Sequence, residues 1–386
     1  MSIADSSETR LSYVNEATWN TTPATPAFQN IRMTDEDFAK EKATGVSNEI
    51  RPDAEVADLV RLGVSASGGF GFELSHGDFD TLFEHILRGT FAAAATGATT
   101  LGTTASDQIT RSAGSFLKDG FQVGDSITLA NSATNDGTYT IEALNDTAIT
   151  TVETSLTTES GGGDETLTAG ATDVLKGALE KKSFTIEMTF ESGATDTYFR
   201  FTGCRTGQLD LNFAANEFVT GRLAYTGGGG SKAAAAIGGA TYTAAGVNPV
   251  MSAVDVANIT IAGVTMTLFV QSFTMSLNNN LRAQNAVDSL GAIGVAYGRR
   301  EITGSLTAYL DEQGASELYD AFDDHTAASL LWSVSDGANT YNFRLPRTKI
   351  STATTPTPGN SEDIFLNIDY QGLVDPEAGA SIIVTK

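Results

Sequence analysis

The side chains best suited to chemistry are few and scattered. The chain has three histidines, His76, His85 and His325, and one cysteine, Cys204. A zinc site needs closely spaced Cys and His ligands, and a calcium loop needs carboxylates at fixed alternate positions; neither spacing occurs, so no metal or cofactor is expected. Cys204 has no motif around it and reads as a small apolar filler in a strand, and each histidine as a surface or helix-flank residue. No GxSxG elbow is present. The glycine run at 227–230 lacks the following GK[ST] of a phosphate cradle and reads as a linker. The acidic runs Asp35 to Asp37 and Asp320, Asp323 and Asp324 could hold a cation or act as an acid/base pair, but a solvated face is the default for such runs. The chain is not expected to be an enzyme.

Charge narrows the partners further. Forty-seven acidic residues against 23 basic give a net charge of −24, which argues against a surface that grips nucleic acid, because phosphate binding needs Lys and Arg. The excess acid serves solubility, or faces something anionic that must be repelled. No stretch approaches the roughly 20 apolar residues of a spanning helix, and no basic-then-apolar leader opens the chain, so synthesis and assembly in a cytoplasm are expected. A single cysteine rules out an intrachain disulfide.

The elements that would position these residues are mostly strands. Thirty-nine glycines, few prolines and many Thr and Val suit strands and turns. In GFGFELSHGDFDTLFEHILRG, residues 69–89, Phe70, Phe72 and Leu74 alternate with Gly71, Glu73 and Ser75, and Leu82, Phe83, Ile86 and Leu87 follow at helical spacing, with Asp78 as cap and Gly89 as stop. SLTAYLDEQGASELYDAFDD, residues 305–324, repeats that order, with Leu318 and Phe322 matching Leu82 and Ile86 at one offset of 236. FTIEMTFESGATDTYFRF and LLWSVSDGANTYNFRL pair again through Thr197-Tyr198 and Thr340-Tyr341. The order strand, long polar loop, strand, helix, strands thus occurs twice.

Between the halves of the first copy lie short β-patterned runs with Asp-Gly turn signals at Asp119-Gly120 and Asp136-Gly137, flanked by flexible stretches, as in a small all-β domain inserted into a surface loop. The expected division is an N-terminal arm over 1–27, a first module over 28–93 and 179–226, the inserted domain over 94–178, a Gly/Ala-rich linker over 227–253, a second module over 254–374 and a C-terminal tail over 375–386. The arm would be disordered, or would lie on a neighbouring subunit anchored by Tyr13 and Trp19. Such a duplicated scaffold describes a building block whose edge strands pair with those of a neighbour in a ring.

The run IRPDAEVADLVRLGVSASGGFGFELSHGDFDTLFEHILRGTF, residues 50–91, with the earlier SETRLSYVNEATWNTTP, resembles the N-terminal signature of tail tube proteins of long-tailed double-stranded DNA bacteriophages, the siphovirus type. The resemblance implies a mainly β fold with short α-helices (α+β), a β-sandwich or barrel module with a flanking helix, here duplicated and carrying the inserted domain. It implies stacked rings whose sheets join into an inner barrel and conduct genome DNA without binding it. With two modules per chain, three chains would make a pseudo-sixfold ring, a hexamer being the alternative. Other tail proteins, such as the tape measure, terminator and distal tail proteins, would be partners, no membrane would be, and the protein would reside in the virion. An acidic lumen would keep DNA sliding, with Glu73, Glu187, Asp210 and Asp369 as its candidates. The long loops 35–62 and 277–298 would touch the next ring through Asp35, Glu36, Asp37, Lys40, Lys42, Arg51, Asn278, Asn279 and Arg282. An adhesin whose inserted domain binds host carbohydrate is the alternative function, and a carboxylate glycosidase is disfavoured by having two tryptophans, Trp19 and Trp332.

Overall fold

The computed structural model describes residues 5–96, 99–171, 173–191, 196–261, 264–265, 269–310, 319–357, 359–360 and 362–386. The chain folds as two compact units, one of residues 1–86, 180–254 and 270–307 and the other of 87–179, 255–269 and 308–386. These units cut the chain differently from the expected boundary at residue 254. The physical reason is pairing: Ser272–Asn278 runs antiparallel to Gln208–Ala214 over seven residues, which ties part of the second half to the first unit.

In the first unit the strands are β1 (Thr9–Asn15), β2 (Ala27–Asn30), β3 (Asp35–Glu36), β4 (Ala39–Val46) and β5 (Leu59–Glu73), followed by α1 (Asp80–Leu87). After the excursion come β6 (Phe184–Phe190), β7 (Thr197–Ala214), β8 (Thr220–Gly227), β9 (Gly229–Ala233), β10 (Thr241–Thr243), β11 (Val270–Asn278), β12 (Arg282–Gln284) and β13 (Gly294–Ala296). The long strand β7 serves two sheet regions. Its first half pairs with β6 and β9, and its second half with β8 and β11. The changeover lies at Gly203 and Gly207, where the left-handed φ of 67° at Gly203 and a register shift between Thr206 and Gln208 re-aim the strand.

The core of this unit is aromatic. Phe79 stacks on Phe72 at 4.3 Å, Phe70 on Tyr225 at 6.0 Å, and Tyr13 meets Phe184 edge-on at 4.8 Å. Leu82, Phe83 and Ile86 of α1 are buried at the positions their spacing predicts. His85 departs from its expected place at a helix flank: it is buried against the Phe184 ring at 3.5 Å, where burial and then the Lys182 charge push its pKa well below the usual value. Cys204 is likewise buried.

The N-terminal segment is not an arm over its whole expected length, because β1 pairs with all seven residues of β6 and holds Leu11 and Tyr13 in the chain's own core. The expected loop 35–62 is largely a hairpin, β4 against β5. Alternation failed to reveal it because both faces of β4 lie open, so no apolar period is imposed on it. The expected 227–253 linker contains β9, paired to β7, and β10, which runs parallel to β2.

In the second unit the strands Val256–Ile261, Ala328–Ser335, Thr340–Thr354 and Phe365–Gly372 pair in that order. The sequence order of β5, α1, β6, β7, β8 recurs as Glu301–Tyr309, Tyr319–Asp323, Ala328–Ser335, Thr340–Thr354 and Phe365–Gly372, both long strands opening at a Thr-Tyr pair. Leu318, part of the repeat argument, lies outside the described residues.

The region 101–169 forms its own six-stranded sheet around a core that includes Phe116, Ile127, Leu129, Ile141, Ile149 and Leu167. Asp136-Gly137 opens one of its strands, but Asp119-Gly120 ends a helical turn, Phe116–Asp119, with Gly120 left-handed at φ 104°. The residues expected as a C-terminal tail complete this core: Ala378, Ala380 and Ile383 are buried in it, Ile383–Thr385 pairs with Val174–Lys176, and Lys118 bridges Asp375 and Glu377 at 3.1 and 2.7 Å.

Removing most of a buried side chain from such a seam leaves a cavity, so Ile383→Ala should lower the stability of this unit by about 2–5 kcal/mol in denaturant unfolding followed by far-UV circular dichroism. A second expectation concerns Asp125. Burial pushes its carboxyl up to about 6 from an ordinary 3.8, opposed by the Gln122 N–H bond and assisted by the Asp173 charge. The folded chain therefore holds this proton where the unfolded chain has lost it, and the contribution to stability falls as pH rises from about 4 to about 6. Asp125→Asn should stabilise the protein at pH about 7.5 by about 1–2 kcal/mol, discounted for partial exposure, and leave it unchanged near pH about 3.5, as thermal melts at the two pH values would read.

Candidate functional site

The feature with the clearest division of labour is the sheet β3, β5, β8, β7 and β11 of the first unit. Antiparallel pairing puts residues of one parity on one face across all of these strands. Phe70, Phe72, Leu209, Leu211, Phe213, Leu223, Tyr225, Phe273, Met275 and Leu277 are all buried on one side. The opposite side is set by the register. One row runs Asp35, Gly71, Arg222, Asp210, Ser276, and the next runs Glu73, Thr220, Asn212, Thr274. This face is hydroxyls, amides and carboxylates, with Asp35, Asp37, Glu73 and Asp210 around the single basic side chain Arg222.

Several of its polar groups pair with one another. Asp210 accepts from Ser276 Oγ at 2.6 Å and from Gln208 Nε2 at 2.9 Å. Thr274 and Ser305 hydroxyls share a hydrogen bond of 2.8 Å. Arg222 donates to Asp35 at 2.7 Å and forms an ion pair with Asp37 at 2.6 Å. Glu73 and Asp210 thus stand on one common face of the first unit, half-buried. Asp369 lies in the second unit, exposed and accepting from Thr352 Oγ1 at 2.5 Å. Glu187 corrects the expectation that it faces a solvent-filled bore. Fully buried, its carboxylate pairs with Arg200 at 2.5 Å and accepts the Tyr242 hydroxyl at 2.5 Å. It is a strut between β6, β7 and β10.

The other candidates also separate. Tyr13 is buried in the chain's own core and Trp19 donates to the Gly203 carbonyl at 3.1 Å, so both are anchored within their own chain, since β1 is a full strand of the sheet. Asp35 and Asp37 belong to the polar face, and Glu36 accepts the Phe38 N–H at 3.0 Å. Lys40 and Lys42 are exposed on β4, and Arg51 pairs with Asp53 at the hairpin tip at 2.6 Å. Arg282 is exposed on β12, and Asn278 accepts the Asn280 N–H at 2.7 Å. Asn279 corrects its expected place in a contact loop: it is buried, donating to the Ile86 carbonyl at 2.8 Å and the Thr206 carbonyl at 3.3 Å.

Two features were not read from the sequence. Arg222 is one, signalled only by the alternation of TGRLAYTG. The other is the apolar tip of the β4–β5 hairpin, where Val46, Ile50, Val56, Leu59, Val60 and Leu62 are exposed. Exposed apolar side chains concentrated in one hairpin are the kind of surface that contacts between molecules bury. Among the described residues no group of three His, Cys, Asp or Glu is placed to hold a metal ion, and no helix is long and apolar enough to cross a membrane.

Breaking the buried pair leaves Arg200 uncompensated, so Glu187→Ala should cost about 3–5 kcal/mol by chemical denaturation, with Glu187→Ala/Arg200→Ala recovering part of the loss.

No curated protein matches the chain. A family model described as phage tail tube protein matches residues 6–372.

Proposed function

We propose, from the premise that this chain belongs to the phage tail tube protein family, that it polymerises as stacked rings into a tube whose polar sheet face lines a passage for genome DNA. Membership makes it a structural component of the virion tail that assembles with copies of itself and other tail proteins, and no catalytic step is part of this reading. The siphovirus setting, assembly in the host cytoplasm and contact with tape measure, terminator and distal tail proteins are extensions of the same proposal.

The observation that carries it is the sheet with one face sealed by aromatic core and the other paved with hydrogen-bonded polar groups and excess carboxylate. A wall of this kind stays wetted and repels phosphate, so duplex DNA meets no cation array on which to settle. Glu73 and Asp210 on this face are proposed lumenal acids, and Asp369 of the second unit is a third. The twofold recurrence of the strand and helix order supports a ring of three chains with pseudo-sixfold symmetry, the six-chain ring being the alternative. The β4–β5 hairpin and the β12–β13 hairpin are the proposed contacts to the next ring, through the apolar tip and through Lys40, Lys42 and Arg51 on the first hairpin and Arg282 on the second. An exposed apolar projection of this kind favours association, and a second copy of the chain would cover it at every step of a stack.

Electron microscopy of the purified chain should show hollow tubes or stacked rings of uniform bore. Ile50→Asp/Leu62→Asp should remain folded by circular dichroism yet sediment as unstacked species, and tubes of normal length from that variant would remove the hairpin from the assembly contact.

A further inference from the structure

The polar face carries one cation, and two carboxylates are spent on it. Arg222 sits in a register row between Asp210 on β7 and Gly71 on β5. Beyond Gly71, β3 brings Asp35 opposite that glycine. The absent side chain of Gly71 leaves this gap open: a Cβ there would stand 2.3 Å from Asp35 Oδ2 and 2.7 Å from Thr34 Oγ1, so the Asp35 carboxylate would have to shift. Across this gap Asp35 reaches Arg222 at 2.7 Å. Asp37 is fixed by accepting the Gly69 N–H with Oδ1 at 2.6 Å, and its Oδ2 meets Arg222 at 2.6 Å.

The stability return on this construction is small. The side chains of Asp35 and Asp37 are 60% and 62% exposed and that of Arg222 is 38% exposed, and exposed pairs of this kind contribute about 0–1 kcal/mol. A free guanidinium on the same face would offer phosphate a bidentate donor fork, the strongest phosphate contact a side chain makes.

We infer that Asp35 and Asp37 form a charge mask over Arg222, which keeps this arginine from capturing the DNA backbone on a face that must let DNA slide. The inference rests on that face being the wall of the passage. The mask works by charge and occupancy: Nη1 and Nη2 of the guanidinium each already meet a carboxylate, and the two carboxylates leave a local charge of the same sign as phosphate. Gly71 is the positioning residue, because its missing side chain leaves the space through which the Asp35 carboxylate crosses to Arg222. Repetition along a tube multiplies the effect, since one unmasked cation per chain becomes a ladder of phosphate contacts, each adding about −0.9 to the salt slope of DNA binding.

The test uses tubes of the full chain, pelleted with short linear double-stranded DNA. Asp35→Asn/Asp37→Asn should retain about tenfold more DNA than the wild type at about 50 mM salt and lose the excess by about 200 mM. Adding Arg222→Gln should abolish the gain. Gly71→Ala changes no charge yet displaces Asp35, and should give part of the same gain; it carries the test if the double variant does not assemble. Glu73→Lys, which places a new cation on the face away from the mask, separates the two levels. Retention by Glu73→Lys but not by the unmasked variants would overturn the mask and leave the wall assignment standing. Retention by none of them would overturn both. Equal retention with and without Arg222→Gln would place the binding elsewhere and overturn the mask.

Discussion

A strand allows its side chains only two directions, and in the first unit that constraint is applied across five strands at once. A shift of one residue anywhere in β5, β8, β7 or β11 would bring Phe70, Leu223 or Leu211 into water and drive Arg222 or Asp210 into the aromatic core. The register is therefore held by the burial of apolar surface on one side, and the polar pattern on the other side is its consequence. Core and functional face are two readings of one alignment. Leu82, Phe83 and Ile86 of α1 are buried, and Phe79 just before the helix stacks on Phe72 of the apolar side.

Charge is placed according to how much water reaches it. Glu187 and Arg200 lie where a lone charge would be intolerable, so each exists because of the other, and the Tyr242 hydroxyl satisfies the remaining carboxylate oxygen. On the open face the pairs of Arg222 are weakly stabilising and strongly directional. The same residue types thus serve as struts in the interior and as surface chemistry outside, and the difference lies in burial alone.

The second unit shows a parallel economy. The inserted sheet is a compact arrangement with its own apolar centre, yet Ala378, Ala380 and Ile383 are part of that centre and Lys118 fastens Asp375 and Glu377 beside it. Insertion into a loop costs little chain entropy, and residues 378–385 join the inserted core to the rest of the unit.

The sequence by itself determined the elements with a strong period. Phe70, Phe72 and Leu74, the apolar stripe of α1, and the alternation in FTIEMTF mark their strands and helix because burial on one face leaves a repeat of two or of 3.6. The hairpin β4–β5 was illegible for the same reason reversed, since a projection with no buried face has no period. Glu187 was misplaced because alternation names two faces without saying what covers the second, and the Tyr242 hydroxyl that reaches it from β10 lies in a Gly/Ala-rich stretch with no period. Asn279 and Tyr13 were misplaced because polarity and nearness to the N-terminus carry no information about burial in a partner layer. Only the tertiary structure decided that Asp35 and Asp37 converge on Arg222 across a glycine. That contact joins residues 187 positions apart, and it depends on the pairing register of three strands, which local sequence does not encode.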